Sequence, residues 1–179
     1  MFSIPDEQRV AHWGVDIGYR RVSVAALVPG RFKVRSAEVE EGLPMVQTLR
    51  ELHEATFEIA RELQSYGQAR SIVVEQPGGK FVEPRLWYAC AVICLALDDF
   101  GYVDTLPPAS WKKQAIGNGH AKKADIMAWA RGLGYTGTGK AAQDEADALG
   151  IARAAEIETK VMDETPIPAD PETLATLPF

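Results

Sequence analysis

Acidic side chains lie within or at the ends of the most apolar segments of this chain, and their spacing constrains the fold more than any other feature. Asp16 lies inside the run His-Trp-Gly-Val-Asp-Ile-Gly, and Glu75 closes the run Ser-Ile-Val-Val-Glu. Asp144 and Asp147 are three residues apart in a segment typical of a helix, so they share one helix face. A buried carboxylate is unfavourable unless a cation meets it. Three segments that deliver acids to one sheet edge therefore predict a divalent-cation site, and oxygen ligands suit Mg²⁺ or Mn²⁺ rather than Zn²⁺.

Each of these acids also has an ordinary structural interpretation. Asp16 could face a turn at the end of its strand, and Glu75 could be solvated before the loop that follows it. Acids in the first turn of a helix interact favourably with the helix dipole, which is a purely structural role for Asp144 and Asp147. Glu145 is rotated about 100° from Asp144 and is predicted to face solvent. The metal-site interpretation depends on the four acids occurring together in one fold.

The order of predicted elements is that of an α/β protein with one central mixed sheet. Short links favour an antiparallel arrangement of the first three strands, and three- and four-residue periodicity marks the first helix. The predicted strands are 11–17, 22–28, 32–39, 71–75 and 102–106, and the predicted helices are 45–66, 84–99, 109–116, 122–133 and 141–158.

Length and composition predict one globular domain over residues 1–158, followed by an irregular Pro-rich C-terminal arm over residues 159–179. The N-terminus lacks the features of a secretory signal, and no apolar run approaches the roughly 20 residues that span a membrane. We therefore expect a cytoplasmic protein in which Cys90 and Cys94 are free thiols.

The charge distribution predicts one basic surface on an otherwise acidic chain. The formal net charge of −6 by itself argues weakly against a nucleic-acid partner. Residues 112–140, however, contain six Lys or Arg side chains against Asp125 alone, a local balance of +5. The predicted cation site would offset part of the remaining negative charge.

The helix predicted over residues 84–99 is apolar on more than one side, which indicates either deep burial or cover by a second subunit. Pairing this helix with a two-fold mate would bury Leu86, Val92, Ile93 or Leu97 and also Trp87. A homodimer through this helix is therefore predicted.

The arrangement of acids resembles the RuvC Holliday junction resolvases of the RNase H-like superfamily, from about Trp13 to Arg153. That family has Asp in the first strand, Glu at the end of the fourth and Asp-x-x-Asp opening the last helix. The resemblance extends through the run Gly-Asn-Gly-His-Ala-Lys-Lys of residues 117–123, with a lysine, Lys112, five residues before its first glycine. The sequence departs from the family at Asp-Ile-Gly, where Asp-Pro-Gly is common, and at Gly78, near which the family places a junction-unstacking phenylalanine. Phe81 is a candidate substitute.

The resemblance implies an RNase H-like fold, a central mixed five-stranded sheet flanked by helices, and a metal-dependent endonuclease that cuts Holliday junctions and other branched DNA such as flaps and Y-structures. Two Mg²⁺ ions about 4 Å apart, or Mn²⁺ in their place, would be bound by Asp16, Glu75, Asp144 and Asp147. Cleavage would leave a 5′ phosphate and a 3′ hydroxyl, with Lys112 and Lys123 as catalytic cations. The residues implied in DNA binding are Lys80, Phe81, Lys112, Lys113, Gly117, Gly119, Lys122 and Lys123.

Two other classes remain open at this point. Asp-Ile-Gly in a first strand also opens the ATP-binding actin, Hsp70 and sugar-kinase folds, although those chains are usually longer and carry a second phosphate loop. A catalytically silent nucleic-acid-binding domain of the same superfamily is the other alternative. Four retained acids count against it, because an abandoned site would leave buried charge without a partner.

Overall fold

A central sheet of five strands organises the protein, in a computed structural model that describes residues 10–78 and 82–164. The sheet order is β3-β2-β1-β4-β5; the pairs β3–β2 and β2–β1 are antiparallel, and the pairs β1–β4 and β4–β5 are parallel. The strands are β1 (Val10–Ile17), β2 (Arg21–Val28), β3 (Arg31–Glu38), β4 (Gln68–Glu75) and β5 (Val103–Leu106). The helices are α1 (Met45–Gln64), α2 (Pro84–Leu97), α3 (Pro108–Ile116), α4 (Lys123–Gly132) and α5 (Ala142–Glu164), with a 3-10 turn over Asp98–Phe100. The predicted α/β class and mixed five-stranded sheet are confirmed.

Alternation along β1 divides the core into two layers, one on each face of the sheet. Trp13 is fully buried on the face covered by α1 and α2, where its ring lies 6.1 Å from that of Phe100. Gly14 points to the opposite face, which is covered by α3, α4 and α5. Because side chains two residues apart share a face, Asp16 faces the same layer as Gly14.

Helix α5 lies unusually close to the sheet. A Cβ atom on Gly14 would lie 2.0 Å from the backbone nitrogen of Ala152 and 2.2 Å from the carbonyl oxygen of Ala148. On another side of α5, a Cβ atom on Gly150 would lie 2.6 Å from the ring of Trp111. Two glycines therefore let α5 contact both β1 and α3, which fixes the acid-bearing first turns of α5 over the end of β1.

The predicted end of the last helix at residue 158 is wrong, because α5 continues to Glu164. Contacts with the start of β4 hold the extra turns in place. Arg70 donates to both carboxylate oxygens of Asp163, at 2.6 and 2.8 Å, and the Thr159 hydroxyl lies 3.2 Å from that of Ser71. Residues 165–179 of the predicted arm lie outside the described residues.

The faces of α2 also differ from the prediction. Ile93 and Leu97, two of the residues expected in a subunit interface, are fully buried inside the chain because α2 packs against α1 and the sheet. Trp87, which was also expected in the interface, is 46% exposed, and the neighbouring Tyr88 and Leu95 are exposed at 51% and 68%. Cys90 and Cys94 on this helix are free thiols, as predicted. No helix among the described residues has the length and apolarity needed to cross a membrane.

Candidate active site

Asp16 is the centre of an acidic cluster at the end of the central strand. Burial raises the pKa of its carboxyl group well above the ordinary value, and the charges of Glu75, Asp147 and Asp144 raise it further. Only the guanidinium of Arg21 acts in the opposite direction among the principal causes. All four acids selected from the sequence are therefore close enough to act on one another across three segments of the chain.

Trp111, the residue before Lys112, holds the Glu75 side chain at the end of β4. The indole nitrogen of Trp111 donates a hydrogen bond of 2.6 Å to the Glu75 carboxylate, and Trp111 itself is fully buried. Burial raises the pKa of Glu75, while this hydrogen bond and the charge of Lys112 lower it. The ammonium of Lys112 lies 5.3 Å from the centre of the Trp111 ring. One helical turn of α3 thus supplies both a fixed donor and a cation to this acid.

Asp147 and Asp144 differ in their surroundings although they share one helix face. The side-chain amide of Gln143 donates to Asp147 over 3.0 Å. Burial is the main reason that the pKa of Asp147 rises to about 6, with Glu75 and Asp144 raising it further and Gln143 and Lys112 opposing the rise. Asp144 instead accepts a short, charge-assisted hydrogen bond from Arg21.

Arg21 belongs to a chain of ion pairs along the outer edge of the site. Besides Asp144, its guanidinium contacts Glu38 at 3.4 Å, and the Lys140 ammonium lies 2.6 Å from the same Glu38 oxygen. Strands β2 and β3 place Arg21 opposite Glu38 in register. Arg21 therefore neutralises Asp144, the acid at the outer edge of the site.

The prediction that Glu145 faces solvent is wrong. Its carboxylate accepts a short hydrogen bond from the Tyr135 hydroxyl and another, of 3.0 Å, from the Ser36 hydroxyl. Ser36 lies opposite Ser23 on β2, with 2.8 Å between the two hydroxyl oxygens. Glu145 is half-buried in this polar network, which connects α5 to β3 and ends at Ser23, the register partner of Asp16.

Of the lysines selected from the sequence, Lys112 lies near the acids, and the selected glycines shape the turn that follows α3. Gly117 ends α3 with a left-handed φ of 83°, and Gly119 approaches so closely that a Cβ atom would lie 2.9 Å from the Ala109 carbonyl oxygen. This tight turn leads back along α3 into α4. Lys112 is half-buried near Glu75 and Asp147, whereas three other lysines of this segment are exposed: Lys113, Lys122 and Lys123. Lys80 and Phe81 lie outside the described residues.

The donor chemistry of the acids fits a hard divalent cation, because every candidate ligand is a carboxylate oxygen and the central one is buried. Within residues 10–78 and 82–164, however, no three His, Cys, Asp or Glu side chains already have their donor atoms arranged to hold an ion. In this structure Asp144 contacts Arg21, and Asp147 contacts Gln143.

Several residues of the site were missed from the sequence. Arg21 lies 123 positions from Asp144, and Trp111 lies 36 positions from Glu75, so only the folded chain brings each pair together. Gln143 carried a readable signal, because side chains four residues apart on a helix are neighbours. The position of Trp111 immediately before Lys112 was visible but carried no indication of its partner.

The raised pKa values predict that the metal-free protein loses stability between about pH 4 and pH 6. A carboxyl group whose pKa rises on folding favours the folded state when protonated, so its contribution is present below its unfolded pKa and is lost as pH rises through its folded pKa. For Asp147 this window runs from the ordinary 3.8 to about 6. We expect a higher midpoint of urea unfolding at pH 5 than at pH 7.5 in EDTA, and a smaller difference in Asp147→Asn. An equal pH response in the two proteins would contradict this assignment.

A mixed five-stranded sheet flanked by helices, with acids at the end of its central strand, defines an α/β protein of RNase H-like fold. Its structural neighbours are RuvC-type Holliday junction resolvases. Thermus thermophilus RuvC superimposes with a TM-score of 0.65 and 21% identity, covering 88% of this chain and 99% of that chain. The same protein in complex with a Holliday junction substrate gives 0.69 and 18%, covering 89% and 99%. The yeast mitochondrial resolvase Ydc2 gives 0.55 and 11%, covering 90% and 83%. No protein-family model and no curated protein matches the sequence.

Proposed function

We propose that this protein is a Mg²⁺-dependent endonuclease that cuts four-way DNA junctions and other branched DNA. The observation that carries the proposal is the convergence of Glu75, Asp144 and Asp147 on the buried Asp16. Such a cluster costs stability unless cations neutralise it, which gives the four acids a functional reason to occur together. The fold shared with RuvC, one structure of which contains a Holliday junction substrate, supports branched DNA as the substrate.

Different residues of the site would have different roles in hydrolysis. Asp16, Glu75, Asp144 and Asp147 would hold two Mg²⁺ ions, with Mn²⁺ as a substitute; when bound, the ions would activate a water and stabilise the leaving 3′ oxygen. Trp111 fixes the Glu75 carboxylate, and Gln143 orients that of Asp147. Arg21 holds Asp144 at the rim of the site. Lys112 places a positive charge beside Glu75 and Asp147, where charge develops on the scissile phosphate.

DNA would reach these acids across the surface formed by α3, the Gly117–Gly119 turn and the start of α4. Its cations, Lys112, Lys113, Lys122 and Lys123, lie on the side of the sheet that α5 also covers. Contacts of this kind bind phosphates without reading sequence, and they make affinity dependent on salt. Lys123 is proposed as a second cation near the scissile strand.

Lys112 and Lys113 provide a matched test because they are neighbours with different exposure. Lys112→Ala should lower the cleavage rate at saturating protein about 100-fold, because it removes a charge that acts at the acids. Lys113→Ala should mainly weaken binding and reduce the slope of log affinity against log salt by about one. Single-turnover kinetics and anisotropy titrations measure both. Equal effects confined to binding would show that Lys112 is only part of a generic basic surface.

One assay tests the function directly. End-labelled four-way junction, flap, Y-structure and linear duplex are incubated with the protein in Mg²⁺, Mn²⁺ or EDTA. We expect metal-dependent cuts near the branch point, with 5′ phosphate and 3′ hydroxyl ends, and little cleavage of the duplex. Binding to junctions without cleavage in either metal would indicate a catalytically silent binder, and ATP-dependent protection from proteolysis would indicate a nucleotide-binding protein.

A homodimer through α2 is part of the proposal, because a two-fold junction needs paired cuts on opposing strands and a C2 dimer supplies two matching sites. The exposed side chains Trp87, Tyr88 and Leu95 lie along one side of α2, so they replace Ile93 and Leu97 as interface residues. Leu95→Arg should give a monomer in sedimentation equilibrium at micromolar concentration. Leu133→Arg, at an exposed leucine on the opposite layer, should not change the mass. A monomeric wild-type protein would refute the dimer.

A further inference from the structure

A cleft of about 340 Å³ opens on the face of the sheet that α1 and α2 cover. It lies between the turn that joins β1 to β2, the loop before α1 and the first turn of α2. Its lining includes the aromatic ring of Tyr19, the guanidinium groups of Arg20 and Arg85, and the apolar side chains of Leu43 and Met45. A cavity of this size is within the range that holds a small organic group.

The polar groups of the cleft are only loosely held. The Arg85 guanidinium lies over the Tyr19 ring, 5.5 Å from its centre, and its Nε is 3.2 Å from Glu83. Arg20 is 3.6 Å from Glu41, whose side chain is 89% exposed. Ion pairs this exposed contribute little, so both arginines can exchange their present partners for a phosphate.

The turn between β1 and β2 connects the cleft to the active site. The Gly18 amide donates a hydrogen bond of 2.7 Å to the Arg21 carbonyl and so closes the turn after β1. This turn places Tyr19 and Arg20, which line the cleft, three and four residues after Asp16. Arg20 of the cleft and Arg21, which contacts Asp144, are consecutive residues of this turn.

We propose that this cleft binds an unpaired nucleotide of the branched DNA, its base against Tyr19 and its phosphate between Arg20 and Arg85. This inference rests on the nuclease function proposed above and extends it to the bases beside the cut. An aromatic ring next to cations is the combination that holds single-stranded nucleic acid, because every base has a face that stacks. A paired base is already stacked within the duplex, so the cleft favours substrates with unpaired nucleotides at the branch point.

The test compares Tyr19→Ala, Tyr19→Phe and wild type for binding to labelled DNA in EDTA by fluorescence anisotropy. The probes are a linear duplex, a fully paired junction and a Y-structure in which 2-aminopurine occupies the unpaired position next to the branch. Tyr102→Ala, at a side chain 74% exposed before β5, is the control. We expect Tyr19→Ala to weaken binding of the Y-structure about 10- to 100-fold, with duplex affinity unchanged and the 2-aminopurine signal no longer quenched. Tyr19→Phe and the control should behave as wild type.

Arg20→Gln and Arg85→Gln should each flatten the salt dependence of Y-structure binding by about one phosphate contact. Equal affinities of wild type and Tyr19→Ala for the Y-structure would overturn the proposal, as would equally tight binding of a free mononucleotide. Mg²⁺-dependent cleavage by the wild type separates the two levels of inference. If the wild type cleaves and Tyr19→Ala does not change binding of the Y-structure, only the role proposed for the cleft is refuted. If the wild type neither binds nor cuts branched DNA, the proposed function itself is refuted.

Discussion

Replacing Asp16 with Asn should abolish metal-dependent cleavage, lowering the rate about 1,000-fold or more while junction affinity in EDTA changes little. The reason for the large effect is position: the charges of Glu75, Asp144 and Asp147 all act on Asp16. Affinity should persist because most of it comes from phosphate contacts elsewhere on the surface. Single-turnover cleavage and anisotropy on the same junction measure the two quantities.

The same variant should be more stable than wild type without metal, because it removes a buried charge that three neighbouring acids repel. We expect a gain of about 1–2 kcal/mol in the free energy of urea unfolding at pH 7.5 in EDTA, a modest share of the loss that like-charge burial causes. Glu145→Gln is the matched control, since its partners are Tyr135 and Ser36. If Glu145→Gln were inactive and Asp16→Asn active, the reacting centre would lie on a different side of α5 from the one proposed.

The acids could be predicted from the sequence because each position satisfied two local conditions at once. Asp16 and Glu75 interrupt or close apolar strand segments, and Asp144 and Asp147 share one face of a helix. Strand and helix periodicities need no knowledge of the partners. The mixed sheet was predictable for the same reason, since short links and a long helical connection distinguish antiparallel from parallel pairing.

What the sequence could not provide was the choice among equivalent faces and partners. Helix α2 is apolar nearly all round, so no pattern indicated that Ile93 and Leu97 face inward while Leu95 faces outward. The exposed Arg70 and Asp163 extend α5 through an ion pair between residues 93 positions apart. Arg21 neutralises Asp144 across a still longer separation. Each of these features depends on a tertiary contact that local propensity does not encode.

Gly14→Ala, which adds one methyl group to the central strand β1, should strongly destabilise the protein. The new Cβ atom would lie 2.0 Å from the Ala152 backbone nitrogen and 2.2 Å from the Ala148 carbonyl oxygen. Neither obstacle is a flexible side chain, so α5 as a whole would have to move away from β1. We expect a loss of about 3 kcal/mol or more in the free energy of urea unfolding.

Gly132→Ala is the control, because a Cβ atom at the end of α4 meets nothing within 4 Å. It should leave stability unchanged or raise it by up to about 1 kcal/mol, as alanine does in place of a helical glycine. A Gly14→Ala protein as stable as wild type would mean that α5 does not lie against β1 at this distance. Moving α5 away from β1 would also affect metal binding, because the contact between α5 and β1 brings Asp144 and Asp147 close to Asp16. Any Gly14→Ala protein that folds should therefore also bind Mn²⁺ more weakly than wild type, measurable by electron paramagnetic resonance of the free ion.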